Sequence, residues 1–324
     1  MMLMRFLARA TARYLRLLGA RRKRLRCVGE GSVSLVYYEI GPRDGEPWVL
    51  LHGLGAVAAS WVPVMAGLRR GCRMLVPELS GLGGTECAGE GLGIGESVEA
   101  VTALMAKEFG NRPVTLVGLS LGGWVAVRLA LAHPERISRL VLIDAGGYRD
   151  QDWDNIQSLV DIEDLAGVDR LYPALFVRVP WVMRASRAVF LQAYTSRSVK
   201  NVLAGLTEAD TFDDADLARL AMPTELIWAE HDGLFTLETA KAMAAALPNA
   251  HLEVLPGCGH AAHLECPRAL VAALQRFRRR QRIESPASLA ERPATGGDPW
   301  PTRSTSSAWS ARPPAMSSSG KKGR

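Results

Sequence analysis

The sequence predicts an α/β fold: a mostly parallel central sheet flanked by helices, with an inserted helical cap. Three observations carry this. Short apolar runs alternate with stretches of helical spacing along most of the chain, the pattern of a parallel sheet covered by helices. The runs are nearly continuous in apolar residues, as strands buried on both faces require. Over 147–216 the alternation gives way to a helix-like stretch carrying Trp153, Tyr172, Phe176, Trp181, Phe190 and Tyr194.

In chain order, residues 1–27 read as a basic amphipathic N-terminal helix. Within 3–20 the spacing of Arg5, Arg9, Arg13 and Arg16 lines one helical face, with Phe6, Leu7, Leu17 and Leu18 partly off that stripe. Such a segment can lie on an anionic membrane surface, act as an organelle presequence (although it is not Ser-rich), or cap the domain in solvent. No uninterrupted apolar stretch of signal-peptide length precedes the first arginines, so secretion is not expected.

The core is assigned to 28–146 and 217–282. SVSLVYYEI (32–40), WVLLHG (48–53), CRMLVPEL (72–79) and PVTLVGLS (113–120) read as strands, with a helix over Glu96–Phe109 between the last two. An apolar helix over Leu121–His133 stops at Pro134, and ISRLVLIDA (137–145) is the next strand. After the stretch 147–216, TELIWAEHD (224–232), a helix over Leu237–Leu247, HLEVLPGCGH (251–260) and a helix over Leu264–Arg279 complete the series. Because 147–216 interrupts the core between two strands, it reads as a cap over the carboxyl edge of the sheet, where open parallel sheets bind ligands. Residues 283–324 are rich in Ser, Pro, Gly and Arg without periodicity and read as a disordered tail.

Composition narrows the function. The net charge of +6 is the sum of two basic ends and an acidic middle. Residues 1–27 hold nine Arg or Lys and no acid, and 276–324 hold eleven basic and three acidic residues. Taken from the totals of 39 and 33, this leaves 19 basic against 30 acidic residues over 28–275, a net of −11, the wrong sign for a nucleic-acid-binding domain. No run of about 18 apolar residues suggests a spanning helix. The cysteines (Cys27, Cys72, Cys87, Cys258, Cys266) are odd in number and scattered, which argues against a disulfide framework and suits a reducing, cytoplasmic setting.

The strongest motif is Gly118-Leu119-Ser120-Leu121-Gly122. As a bare string G-x-S-x-G is weak, but here it follows an apolar strand and opens an apolar helix. Small residues two before and two after Ser120 let backbone approach a sharp turn, and the helix start offers N–H groups to a developing anion. A serine hydroxyl needs a base. Among six histidines, His260 lies after the last strand on a glycine-rich loop at the same sheet edge and is the best candidate. His263 reads as packed or hydrogen-bonded within the next helix, His133 and His251 as structural, and His231 as a partly exposed loop residue. The base needs an acid to fix its tautomer, and Asp232, after TELIWAEH, is the first choice. Asp144 at the end of the preceding strand is the runner-up and Glu230 is weaker. Backbone N–H groups of Leu121 and of Leu54, in His52-Gly53-Leu54-Gly55, would receive an oxyanion. His52 and Gly53 support that loop, as Gly118 and Gly122 support the turn at Ser120.

Together the HGLG loop, GLSLGG, WAEHD and GCGHAAHLECP resemble the α/β-hydrolase superfamily across about 28–282. The helical cap after LVLIDAGG resembles esterases and lipases active on monoacylglycerols, and also carbon–carbon bond hydrolases and enol-lactonases. The resemblance implies a Ser–Asp–His triad (Ser120, Asp232, His260) and no cofactor. Members with aspartate at the Ser120 position, epoxide hydrolases and haloalkane dehalogenases, are set aside. Glu78, in VPELSGLGGT, stands where relatives often have aspartate. Cys258, His260, His263 and Cys266 are too tightly spaced for the usual zinc ligand pairs, and no nucleotide-binding glycine pattern occurs. The expected activity is hydrolysis of a small apolar or lipid-like carboxylic ester. The alternatives are carbon–carbon or enol-lactone hydrolysis with the same triad, and a non-catalytic binding protein on the same fold.

Overall fold

A computed structural model describes residues 11–27, 33–79, 85–87 and 93–284. The strands are β1 (Arg21–Cys27), β2 (Val33–Ile40), β3 (Glu46–Leu51), β4 (Cys72–Pro77), β5 (Glu86–Cys87), β6 (Val114–Leu119), β7 (Ile137–Ile143), β8 (Thr224–Ala229) and β9 (Ala250–Leu255). They form one sheet in the order β1-β2-β4-β3-β6-β7-β8-β9, with β5 paired to β2. β1, β2 and β4 pair antiparallel, and every pair from β4 to β9 is parallel. Strand order reverses at β3, between β4 and β6, and in open parallel sheets ligands bind beyond the carboxyl ends of the strands at such a reversal.

Residues 11–17 form α1. The other helices of the core are α2 (Val62–Leu68), α3 (Ile94–Phe109) and α4 (Leu121–Ala132). Between β7 and β8 come α5 (Trp153–Val160), α6 (Leu165–Leu175), α7 (Trp181–Ala185), α8 (Arg187–Tyr194), α9 (Arg197–Gly205) and α10 (Asp214–Leu217). α11 (Leu237–Ala246), α12 (Ala262–Glu265) and α13 (Pro267–Glu284) follow. Side chains alternate across the strands, as the two-residue period demands. Val49, Leu51, Leu116 and Leu142 enter the apolar layer that also takes α3, α4, α11 and the β7–β8 helices. Trp48, Leu50, Val117 and Ile143 enter the opposite layer, with Leu15, Trp61, Leu270 and Phe277. Four of the six β7–β8 helices start on side-chain caps: Asp152, Asp164, Ser196 and Asp213 each accept from a backbone N–H three residues on.

Two expectations need correction here. The segment 1–27 is not one helix: α1 ends at residue 17 and Arg21–Cys27 is a strand antiparallel to β2. Charge compensation explains it. Lys23 Nζ lies 2.8 Å from Glu39 Oε2 and 3.2 Å from Glu108 Oε1, and Arg73 joins both carboxylates. Burial pushes the Glu39 carboxyl up, but hydrogen bonds from Lys23 and Arg73 outweigh it and hold it below the usual range. Arg5 and Arg9 lie outside the described residues, and so does the tail from residue 285. The last expected helix, Leu264–Arg279, is broken at Cys266 into α12 and α13, with Pro267 opening the second. Among the described residues no helix is long and apolar enough to cross a membrane.

Candidate active site

Ser120 joins β6 to α4 with φ 54 and ψ −122, a left-handed conformation that a non-glycine residue adopts only when its surroundings enforce it. Close backbone packing enforces it. A Cβ at Gly118 would lie 2.2 Å from the Gly122 carbonyl oxygen, and one at Gly122 would lie 2.4 Å from the Leu51 carbonyl oxygen. Only glycine lets α4 sit this close to β3 and β6. The Ser120 carbonyl accepts from the N–H groups of Gly123, Trp124 and Gly146, which pins the turn to the end of β7. Beyond it, a Cβ at Gly53 would be 3.1 Å from Ser120 Cβ and 3.6 Å from its Oγ, so the loop after β3 lies against the serine.

That loop is held by a buried histidine. His52 Nε2 accepts from the Leu79 N–H at 3.0 Å, so the ring proton is on Nδ1 and is donated to the Gly53 carbonyl at 2.9 Å. Burial lowers the His52 pKa to about 4, which keeps this neutral tautomer. Glu78, beside it, accepts from the Ala58 N–H at 2.9 Å, and burial raises its carboxyl to about 7. Tyr194 of α8 covers the same loop, its ring against Gly55. The N–H groups of Leu54, in the loop after β3, and Leu121, directly after Ser120, make no hydrogen bond among the described residues.

Asp232 and His260 meet in the turns after β8 and β9. His260 Nδ1 lies 2.8 Å from Asp232 Oδ2, and both side chains are buried. Asp232 Oδ1 accepts from the N–H groups of Leu234 and Phe235, at 2.8 and 3.0 Å, which fixes the carboxylate plane. The ring of Phe235 packs edge-on to the imidazole at 5.3 Å. Ser120, Asp232 and His260 thus all leave the carboxyl edge of parallel strands. Asp144 is at this edge too, and a carboxylate oxygen of it, one of Asp232 and a ring nitrogen of His260 lie within 4.8 Å of one another. These three could by composition hold a cation. The Asp232 oxygens, however, are already engaged with two backbone N–H groups and the imidazole.

The other candidates fall elsewhere. Glu230 turns away and accepts from the Gly257 N–H, and His231 is exposed beside it. His251 pairs with Glu225 on the outer strands, and His133 lies near Glu135. His263 is packed, buried against Trp61, with no hydrogen-bond partner on either ring nitrogen, and burial lowers its pKa to about 3.

Three features were not anticipated. Cys258 and Cys266 form a disulfide, against the expectation of unpaired cysteines, and it closes the loop that carries His260. The pairing also removes both sulfurs as zinc ligands. Sequence separation alone gave no signal for it, since chemistry of this kind is fixed by the fold. Glu265, just before Cys266, accepts from the N–H groups of Val177 and Arg178 in the β7–β8 insertion and of Gly259 in the His260 loop. In the same strip Gly233 N–H donates to the Ala174 carbonyl and Ala261 N–H to the Leu175 carbonyl. Residues 174–178 therefore strap the insertion to both the Asp232 and the His260 turns.

Sheet order, the strained strand–turn–helix at Ser120 and the helical insertion after β7 define the class: an α/β hydrolase. Residues 48–274 match the model of the Alpha/beta hydrolase family, and the chain belongs to that family and is a hydrolase. It is 30% identical over 248 residues to the pimeloyl-[acyl-carrier protein] methyl ester esterase of Nitrosomonas europaea, covering 71% of this chain and 94% of the relative. Its fold is similar to a membrane phospholipase A described as a bacterial virulence factor, with TM-score 0.75, 22% identity and coverage of 86% and 91% of the two chains. It is also similar to the 2-hydroxy-6-oxo-6-phenylhexa-2,4-dienoate hydrolase of Rhodococcus sp. strain RHA1, with TM-score 0.68, 24% identity and coverage of 80% and 99%. At these identities the two structures speak to the fold alone.

Proposed function

We propose that the protein is a serine hydrolase that cleaves a carboxylic ester with an apolar, lipid-like acyl part through an acyl-enzyme. The observation that carries this is the strained Ser120 turn at the mouth of α4, on the same sheet edge as a buried Asp232–His260 pair at 2.8 Å. Residues 28–146 and 217–282 act as the core and 147–216 as the cap.

In this reading His260 takes the Ser120 proton on Nε2 while its Nδ1–H stays on Asp232, and the Ser120 oxygen attacks the acyl carbon. The oxyanion is received by the N–H groups of Leu54 and Leu121, aided by the positive end of α4. Collapse expels the alcohol, protonated by His260, and a water activated by the same imidazole releases the acid. A small apolar recess lined by Leu79, Ile94, Leu121, Val125 and Val202 adjoins His52 and Gly53, so the surface beside the serine loop is apolar, in keeping with an apolar acyl part. The esterase named above, at 30% identity, supports an ester bond as the target.

A fluorophosphonate probe tests the reading. Wild type is labelled and Ser120→Ala is not, and that variant loses several orders of magnitude in ester turnover with its melting temperature kept. Labelling of both, or ester hydrolysis near the wild-type rate in Ser120→Ala, removes the proposal. A panel of p-nitrophenyl esters against ring-fission diketones separates ester from carbon–carbon cleavage.

Peripheral contact with an anionic membrane, expected of 1–27, has support in the cap. Trp181 is 77% exposed, Val177 and Val182 are exposed beside it, and 170–207 holds six Arg or Lys and no Asp or Glu. Two of the six, Arg187 and Lys200, pair with Asp169 and Asp161 of the preceding helices, which tempers the field. Sedimentation with anionic vesicles is expected to fall on removal of 1–10, which spares α1 and strand β1, and again in Trp181→Ala. Equal partitioning of all three proteins removes the membrane reading.

A further inference from the structure

Asp144 is the one carboxylate at the site to which the proposed mechanism gives no work. It ends β7 with φ +44, a left-handed conformation that Asp and Asn tolerate better than other non-glycine residues. Its side chain is fully buried. Oδ1 accepts from the Ala229 N–H at 2.7 Å, while Oδ2 has no partner to donate to it. Asp232, its neighbour, is satisfied on both oxygens, by two N–H groups and the imidazole. A buried carboxylate oxygen with no donor is costly as an anion but well placed as an O–H.

We propose that Asp144 is protonated in the resting enzyme and donates its Oδ2–H to the carboxylate of Asp232, so that it acts as a positioning residue for the Asp232–His260 pair. The proton balance is simple: the two carboxyl groups hold one proton and one negative charge, and His260 stays neutral and able to accept from Ser120. Two anions here would instead draw the proton onto the imidazole and leave no base. Burial first, and then the charge of Asp232, push the Asp144 carboxyl well up, in the same direction as the geometry. The titratable groups that bear on it are Asp232 from the turn after β8 and His260 from the turn after β9. Beyond the imidazole stand His52 and His263, both held neutral by burial.

The catalytic consequence rests on the reading of Ser120, Asp232 and His260 given above; the protonation state does not. Two measurements therefore separate them. The first is the infrared difference spectrum of wild type minus Asp144→Asn at pH 7. Loss of a protonated carboxylic-acid C=O band in the variant is expected, and the subtraction cancels other buried acids such as Glu78. Absence of that band overturns the proposal. The second is the pH profile of kcat/KM for an ester. Asparagine tolerates the left-handed turn and its amide still donates to Asp232, so Asp144→Asn keeps the acid limb in place. An ionised Asp144 would instead make the substitution move that limb down by about two pH units, from the loss of a charge this close, and this outcome also overturns the proposal. Asp144→Gly suits the backbone but lacks the donor. It is expected to lower kcat more than tenfold with KM little changed, a loss that asparagine rescues, whereas wild-type kcat in the glycine variant denies the positioning role. Should the glycine variant fail to fold, Asp144→Asn carries both measurements. If Ser120→Ala still hydrolyses esters the catalytic reading has failed, and the infrared band still decides the shared proton.

Discussion

Replacing Gly122 by alanine tests whether the elbow is built by backbone contact. The new Cβ would lie 2.4 Å from the Leu51 oxygen, 2.6 Å from its carbonyl carbon and 2.7 Å from the His52 oxygen. Ordinary contact between such atoms is near 3.5 Å, so the overlap is about 1 Å against atoms that cannot swing aside. Overpacking of this kind costs roughly 1–3 kcal/mol, and the upper end applies here because all three atoms are main chain. Alanine returns about 1 kcal/mol in helix propensity. The net is a loss of about 2 kcal/mol, or roughly 4–8 °C in Tm for a domain of this size. Activity should fall further than stability, because relieving the overlap moves α4 away from β3 and carries Ser120 and the Leu121 N–H with it. A 1 Å misplacement can cost about a hundredfold in rate. Gly95→Ala is the control: it lies in α3, and open space surrounds its Cβ position. Urea unfolding and ester turnover of both variants are the assays. Gly122→Ala matching Gly95→Ala in both would refute the account of the turn.

Between about pH 6.5 and 4 the buried titratable groups pull stability in opposite directions. His52 and His263 are held at about 4 and about 3 when folded, below the unfolded value of 6.5, so the unfolded chain binds more protons in this window. For His52 the full effect is about 3 kcal/mol. Glu78, raised to about 7, and Asp144, whose carboxyl is pushed well up, work the other way, since their folded forms hold protons that the unfolded chain has lost above about pH 4.5, and they offset most of it. Urea unfolding at pH 7, 5.5 and 4.5 measures the slope: His263→Phe removes a group that destabilises the fold on acidification, so the variant should gain stability relative to wild type as the pH falls, and an unchanged slope contradicts the burial argument. Reducing the Cys258–Cys266 bridge should lower stability by about 2.5 kcal/mol, the chain-entropy value for so short a loop, and slow turnover by loosening His260. Melting and activity with and without reductant, against the double serine variant, give the comparison, and unchanged Tm on verified reduction would contradict it.

Much of this architecture is legible in the sequence because its strands are buried on both faces. Continuous apolar runs such as VTLVGL and VLI mark the centre of the sheet, and glycine spacing around Ser120 marks the turn that only close packing demands. β1 hides because RRKRLRC sets Leu25, which is buried, among cations, and its partners Glu39 and Glu108 are remote in sequence. The neighbours of His260 hide for the same reason. Glu265 could be seen only as a helix residue, and its three backbone donors come from two segments that the fold, not the spacing, brings together. Asp144 was visible as a strand-end acid, but not its left-handed turn or its bare oxygen.

The strip at 174–178 limits how such an enzyme admits its substrate. It is sewn by main-chain hydrogen bonds to Gly233 and Ala261, each one residue past Asp232 or His260, and by Glu265 to Gly259. A lid that swung about this end would drag the acid and the base out of register every time it opened. The contact of Tyr194 with Gly55, by contrast, is made by a side chain rather than stitched backbone and is the looser attachment. Anyone exchanging the β7–β8 insertion of this body would have to carry the 174–178 strip and Glu265 across together.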